Sequence, residues 1–352
     1  MPIESRPHYA FLVQQLIHLY NTGQLNRVQA IHVEPEYGYA AMIHYKNGAR
    51  RYLNGANVDV NPSGAADIVL DKGFAKRFMA QMGIPTPPGR TFLMPHYHAA
   101  FLQAMAKHNL TDAATVDDLR VYVRDEIGYP CYLKPNDGAR GRGVFRCEDA
   151  NDVETALAYF IEQRVDLVLA EAAINLPGAD EYRITVYDEA VFACYARQPF
   201  TVTGDGTHTV HELMLAKRAA LTAAGQKASI DPADPRIAAR LRKNNRSLDY
   251  IPPYEEVIQL QDIANISSGG IVTDYTTQMH PAWAAIGVDI AAKFGLVLCG
   301  IDIICTNITQ PPGDYRIIEI NAAPGLSGYA GASADTRNRV IHLYRTIFNT
   351  PP

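Results

Sequence analysis

Two acidic residues stand where the surrounding sequence asks for none. The run LVLCGIDIIC is almost wholly apolar and reads as a buried strand, with Asp302 at its middle. An ionised carboxylate there is costly unless it is paired or metal-bound. The next strand-like run, YRIIEINAAPG, carries Glu319 and Asn321. Strand side chains alternate, so these two share a face. The Pro311-Pro312-Gly313 stretch lets the two runs pair antiparallel, which can set Asp302 beside Glu319 and Asn321. Two carboxylates and an amide oxygen make a hard, oxygen-only donor set of the kind Mg²⁺ takes together with phosphate and water. The competing arrangement pairs Asp302 with Arg316 and leaves Glu319 facing solvent.

A second cluster is basic and rich in glycine. It runs Lys134-Pro-Asn-Asp-Gly138-Ala-Arg140-Gly141-Arg142-Gly143-Val144, between two strand-like stretches. It is not a GxxxxGK[ST] phosphate loop, and no βαβ unit surrounds it, which excludes a dinucleotide fingerprint. It reads as a hairpin tip whose backbone amides can cover phosphates. Arg140 and Arg142 add cationic forks, and Lys134 ends the preceding strand within reach of a phosphate. Glycines alone would equally suit a plain surface hairpin.

These residues need elements to hold them. Periodicity predicts a helix over 7–22, strands at 27–33 and 38–45, a turn at Asn47-Gly48 and a short strand at 50–53. A helix is expected from Lys72 to Met82, stopped by Gly83 and the prolines of IPTPPG. Residues 90–125 read as mostly helical. Strands are expected at 131–134 and 144–146, a helix at 151–163, and strands at 167–170, 182–187 and 190–196. Helices follow at 208–222, 235–243 and 282–293, then strands at 296–304 and 315–321. Trp283, Ile286, Ile290 and Phe294 lie at helical spacing and read as core. His280, before Pro281, reads as a cap rather than a ligand.

The chain has 352 residues, enough for two or three lobes. Its formal net charge of -5 gives no basic field for nucleic acid. No apolar run reaches the roughly 18 residues that span a bilayer, and the N-terminus lacks a signal-peptide pattern. The five cysteines, Cys131, Cys147, Cys194, Cys299 and Cys305, are odd in number and unpaired in spacing, which argues against a disulfide framework or a zinc site. A cytoplasmic location is expected.

Taken together, the segments DKGFAKRFMAQMGIPTPPG, YPCYLKPNDGARGRGV, VLAEAAI, EYRITVYDEAVFACYARQP, VTGDGTHTVHEL, NISSGG, MHP, CGIDII and IIEINAAPG resemble the ATP-grasp superfamily of carboxylate–amine ligases. They are most similar to the ATP-grasp domain of cyanophycin synthetases and bifunctional glutathione synthetases. Single pieces are weakly specific, but their order over most of 70–330 is highly specific. The resemblance implies an α/β (α+β) ATP-grasp fold, two lobes gripping ATP. A small N-terminal α/β region would cover 1–68 and the ATP-grasp domain 69–352, with a lid at about 126–173 and a catalytic lobe at about 174–352. It implies ATP and Mg²⁺, with Mn²⁺ as an alternative metal. Lys72 and Lys134 correspond to phosphate-binding lysines, with Gly138, Arg140, Gly141, Arg142 and Gly143 in the covering loop. Glu171, Ala173 and Ile174 correspond to the adenine strand, and Glu181, with Asp180 as rival, to the ribose carboxylate. Arg183 and Arg197 match arginines that face the phosphates and the reacting carboxylate. Asp302, Glu319 and Asn321 match the metal ligands. Asn265, Ser267, Ser268, Gly269, Gly270 and Gly325 match segments that border the substrate.

The implied activity is ADP-forming amide or peptide bond formation on small amino acids or peptides. Departures are visible. No second ATPase domain with its own P-loop follows, and no glutamate–cysteine ligase half is present. Gln261 and Asp262 stand where a pair of arginines is common, and the VLAEAAI segment lacks the usual acidic-aromatic character. Competing readings are D-alanine–D-alanine or glutamate ligation on the same machinery, a nucleotide-binding regulator without turnover, and a structural α/β protein. The small N-terminal region also raises the prospect of a homo-oligomer in which a second subunit completes the site wall.

Overall fold

A computed structural model of the chain describes residues 2–108, 113–138, 143–223, 230–260 and 271–352. Helix α1 (Phe11–Asn21) buries Leu12, Val13, Leu16, Ile17 and Leu19, a stripe at helical spacing. It covers an antiparallel sheet of β1 (Val28–Val33), β2 (Ala40–Tyr45) and β3 (Arg50–Asn54). The β2–β3 turn is closed by Asn47, whose side-chain oxygen accepts from Ala49 N, and by Gly48 at φ +86°. The same core takes in Leu343, Tyr344, Ile347 and Phe348 of the C-terminal helix. The two ends of the chain therefore share one core.

Helix α2 (Ser63–Leu70) leads into α3 (Lys72–Gln81). Asp71 caps α3, its carboxylate accepting from Phe74 N at 2.8 Å, and so fixes Lys72 in the first turn. The stretch expected to be mostly helical opens instead on a strand, β4 (Gly89–Leu93), followed by α4 (Pro95–Met105) and α5 (Val116–Tyr122). Partnering decides this: β4 pairs with β7 (Leu167–Ala172), burying Phe92 and Leu93. Strand β7 pairs on its other side with β5 (Cys131–Pro135), which pairs with β6 (Phe145–Cys147). Helix α6 (Ala150–Glu162) packs its buried face on this four-stranded sheet.

The second large sheet is antiparallel throughout. Its order is β12 (Ile271–Asp274), β9 (Ala190–Gln198), β8 (Asp180–Tyr187), β13 (Leu298–Cys305) and β14 (Tyr315–Asn321). Strand β13 lies between neighbours, which is why its sequence is almost continuously apolar. Helix α9 (Pro281–Phe294) covers one face; Trp283, Ile290 and Phe294 are buried and Ile286 partly so. His280 caps it, Nδ1 accepting from Ala282 N at 3.2 Å, as expected. A two-stranded ribbon of β10 (Thr201–Thr203) and β11 (Val257–Gln259) shares a separate small core with α7 (Val210–Ala223) and α8 (Pro235–Lys243). The chain closes with α10 (Ser327–Ala330) and α11 (Ala334–Asn349), which the sequence reading left unassigned. All five cysteines are free and buried. Among the described residues no helix is long and apolar enough to cross a membrane.

Asn61 joins the N-terminal region to the large sheet. Its Nδ2 donates to Leu298 O and Ala322 O, both at 2.8 Å, and its Oδ1 accepts from Val297 N and Leu298 N. At about 1 kcal/mol for each bond lost, Asn61→Ala is expected to lower unfolding stability by roughly 2–4 kcal/mol. A urea titration of both proteins checks this; equal midpoints would refute it.

Candidate active site

A single row of side chains crosses the five-stranded sheet. Asp274 lies opposite Tyr195, Tyr195 opposite Arg183, Arg183 opposite Asp302, and Asp302 opposite Glu319. The next row on the same face sets Gly300 between Thr185 and Asn321. The expected juxtaposition of Asp302, Glu319 and Asn321 is therefore the observed one. Arg316 is not the partner of Asp302; its Nη1 donates to Tyr315 O. The carboxylate of Asp302 is clamped by Arg183, whose Nε and Nη2 donate at 2.6 and 2.5 Å, and by Arg197 Nη2 at 2.7 Å. Burial works to raise the pKa of Asp302, but the two guanidinium groups outweigh it and hold it below the usual range. Arg197 also pairs with Glu181. Burial pushes the Glu181 carboxyl up, with the nearby Asp302 charge adding to it.

Gly300 is small for a reason: a Cβ there would stand 3.0 Å from Pro324 Cβ and 3.2 Å from Arg183 Cδ. A side chain at this position would press on the arginine that holds Asp302.

Lys72 bridges the two sheets. Its Nζ donates to Gly138 O at 2.5 Å and Asn136 O at 3.3 Å, at the base of the glycine-rich hairpin, and lies 3.7 Å from Glu319 Oε1. Asn136, itself buried, accepts from Gly73 N at 2.9 Å and so ties the start of α3 to the same hairpin. Gly143, at φ +67°, closes the hairpin against Pro135. Arg140, Gly141 and Arg142 lie outside the described residues, as do Asn265, Ser267, Ser268, Gly269 and Gly270.

Lys134 does not stand free. Its Nζ donates to Glu171 Oε1 at 2.9 Å, and the other oxygen of Glu171 is 2.6 Å from Lys76 Nζ. Glu171 thus meets this neighbourhood with its side chain as well as its backbone. Burial would raise its pKa, but Lys134 and Lys76 together hold it below the ordinary value. Beyond it, Ala173 N donates to Pro130 O at 3.2 Å. Ile174 follows in the same segment. Gly325 lies past β14, with open space where a side chain would stand.

Lys76 was missed as a site residue. The signal was present: it falls with Ala75 and Met79 on the buried stripe of α3, where a lysine is out of place unless paired.

The donor chemistry accommodates a hard cation. Among the described residues no group of three His, Cys, Asp or Glu is spaced to hold a metal. A site built on Asp302 and Glu319 therefore draws on the Asn321 amide, and on phosphate and water for the rest. Asp302 retains lone-pair capacity, since a carboxylate offers about four acceptor sites and three are taken. On the same face Thr185 Oγ1, Arg197 Nε and Asn321 Nδ2 are buried without a partner among the described residues. Such atoms are uncommon in folded proteins and mark capacity for a ligand or water.

A four-stranded and a five-stranded antiparallel sheet, linked through Lys72 between a glycine-rich hairpin and an acidic strand pair, fit the ATP-grasp fold expected from the sequence. The bifunctional glutathione synthetase from Pasteurella multocida superposes on it with a TM-score of 0.57, over 96% of this chain and 44% of that one, at 21% identity. In sequence the chain is similar to cyanophycin synthetase from Synechocystis sp., at 28% identity over 287 residues, 76% of this chain and 29% of that protein. It is also similar to the glutathione biosynthesis bifunctional protein GshAB from Listeria monocytogenes, at 34% identity over 154 residues, 43% of this chain and 20% of that protein. The chain spans about a third or less of the length of these curated relatives. No family model matches it.

Proposed function

We propose that this chain is an ATP-dependent carboxylate–amine ligase that makes an amide or peptide bond and releases ADP and phosphate. One observation carries the reading. Lys72 joins the glycine-rich hairpin to Glu319 of the acidic strand pair, so phosphate-binding and metal-binding chemistry meet at one point. In this reading residues at about 126–173 act as the lid over a catalytic lobe formed by 174–352. Amino acids or short peptides are the substrates, as the names of the relatives suggest.

In the first step an oxygen of the substrate carboxylate attacks the γ-phosphorus, and the bond to the bridging oxygen breaks to release ADP. In the second, an amine nitrogen attacks the acyl phosphate, the carbon–oxygen bond breaks, and phosphate leaves with the amine proton. Phosphoryl transfer asks mainly for positioning and charge neutralisation. Lys72 and Lys134 supply cations for the phosphates. Arg183 and Arg197, held in place by Asp302, turn their remaining N–H groups toward the reacting carboxylate and the oxyanion. Asp302, Glu319 and Asn321 would hold Mg²⁺, which neutralises phosphate charge when bound. Closing the hairpin shields the acyl phosphate from water.

The test is ADP release from Mg-ATP across pools of amino acids and dipeptides, with Glu319→Ala as control. Release that needs one pool and disappears in the variant is the expected result. Nucleotide binding without release in any pool of amino acids, dipeptides or longer peptides would overturn the ligase reading in favour of a non-catalytic binder.

A further inference from the structure

Glu171 is a deeply buried carboxylate beside Lys134, and it has two cations rather than one. Its side chain, that of Lys76 and that of Lys134 are all largely withdrawn from water, at 6%, 6% and 10% exposure. Lys76 is anchored independently of Glu171: its Nζ donates to Pro87 O at 2.8 Å and Thr86 Oγ1 at 3.0 Å. Lys134 has no such second anchor among the described residues; its hydrogen bond is to Glu171.

The backbone makes room for the arrangement. Gly89 lies directly opposite Glu171 in the β4–β7 register. A Cβ at Gly89 would come within 2.8 Å of Lys76 Cδ and 3.0 Å of Lys76 Cε. The φ of Gly89 does not require glycine, so the close passage of the Lys76 stem, together with the Ala170 carbonyl oxygen 3.0 Å from such a Cβ, accounts for it.

From this geometry we infer that Lys76 is a positioning residue that releases Lys134 for the nucleotide phosphates by remaining as the standing partner of Glu171. The inference rests on the ligase reading only in taking Lys134 as a phosphate contact. The reason is electrostatic. A buried carboxylate left without a partner is strongly disfavoured. With Lys76 fixed at 2.6 Å, Glu171 keeps a counter-charge when the Lys134 ammonium swings away. Without Lys76, Lys134 is the cation left beside Glu171 among the described residues, and pairing with it holds Lys134 from the phosphates.

An apparent affinity falls in proportion to the fraction of protein in the binding-competent state, so Lys76→Met should weaken binding of the non-hydrolysable analogue AMPPNP with Mg²⁺ by roughly tenfold to a hundredfold. Adenosine, which lacks phosphates, should bind as it does to the wild type. Gly89→Ala, which keeps every charge but displaces the Lys76 stem, should act in the same direction. The double variant Lys76→Met/Glu171→Gln, read against Glu171→Gln alone because Glu171 lies in the adenine strand, should recover most of the AMPPNP affinity of that baseline, because nothing then holds Lys134 back.

Titration calorimetry on the full chain reads these proteins, with Lys134→Met as reference and thermal unfolding to confirm folding. A purely structural role for Lys76 predicts equal losses for AMPPNP and adenosine and no recovery in the double variant; that pattern would overturn the inference. If Lys134→Met weakens AMPPNP while Lys76→Met and Gly89→Ala do not, the inference fails and the ligase reading stands. If the wild type binds no nucleotide, or Lys134→Met leaves AMPPNP binding unchanged, Lys134 is not a phosphate contact and both fall.

Discussion

Asp302→Asn is expected to destabilise the fold by about 3–5 kcal/mol at neutral pH, the usual cost of removing one charge from a buried ion pair. Asp302 is 3% exposed and neutralises two guanidinium groups, those of Arg183 and Arg197, which are themselves withdrawn from solvent. The amide keeps the volume and loses the charge, so Arg183 would lose its carboxylate partner and Arg197 would keep Glu181 alone. Urea unfolding of both proteins measures the difference. The pH dependence has a definite sign. Because the folded pKa of Asp302 lies below the unfolded value, its contribution is complete above about pH 4 and disappears as the pH falls through the folded pKa. The acid limb of the wild-type stability curve should therefore be steeper than that of the variant. Equal stability at pH 7 with matching acid limbs would show that the arginine clamp contributes nothing.

The acidic strand pair was legible in the sequence because it breaks a pattern. A carboxylate inside LVLCGIDIIC is conspicuous against its apolar neighbours, and period-two alternation placed Glu319 and Asn321 on one face before any register was known. What closes around Asp302 was not legible from spacing. Arg183 and Arg197 come from β8 and β9, more than a hundred residues earlier, and only the β8–β13 register brings Arg183 opposite Asp302. Resemblance to a family singled out both arginines, but it did not assign them to Asp302. Strand β4 was misread for a related reason. GRTFL is too short to show alternation, and its strand state is imposed by pairing with β7. Lys76 is the reverse case, since the helical stripe of α3 carried the information and a lysine on an apolar face passed as an ordinary charge.

Lys72 and Lys134, the lysines proposed to hold the phosphates, should respond differently to removal, and the difference follows from their partners. The charge of Lys134 is committed to Glu171 at 2.9 Å, whereas the nearest carboxylate to Lys72 Nζ is Glu319 at 3.7 Å and its hydrogen bonds go to backbone carbonyls. Lys72→Met therefore removes a cation without stranding a buried anion. Its effect on unfolding stability should stay within about 2 kcal/mol, the scale of two hydrogen bonds and a part-exposed pair. Turnover should fall by roughly a hundredfold to a thousandfold, the usual loss when a preorganised charge at a reacting group is deleted. Lys134→Met should cost activity and some stability, because it removes one of the two ion pairs of Glu171 and the buried hydrogen bond that goes with it, although Lys76 remains as counter-charge. Measuring ADP release and thermal unfolding on both variants separates the two lysines. A Lys72→Met protein that turns over at the wild-type rate would remove the bridge between hairpin and acidic strands from the mechanism. A Lys72→Met protein as destabilised as Lys134→Met would show that the bridge holds the lobes together rather than the nucleotide.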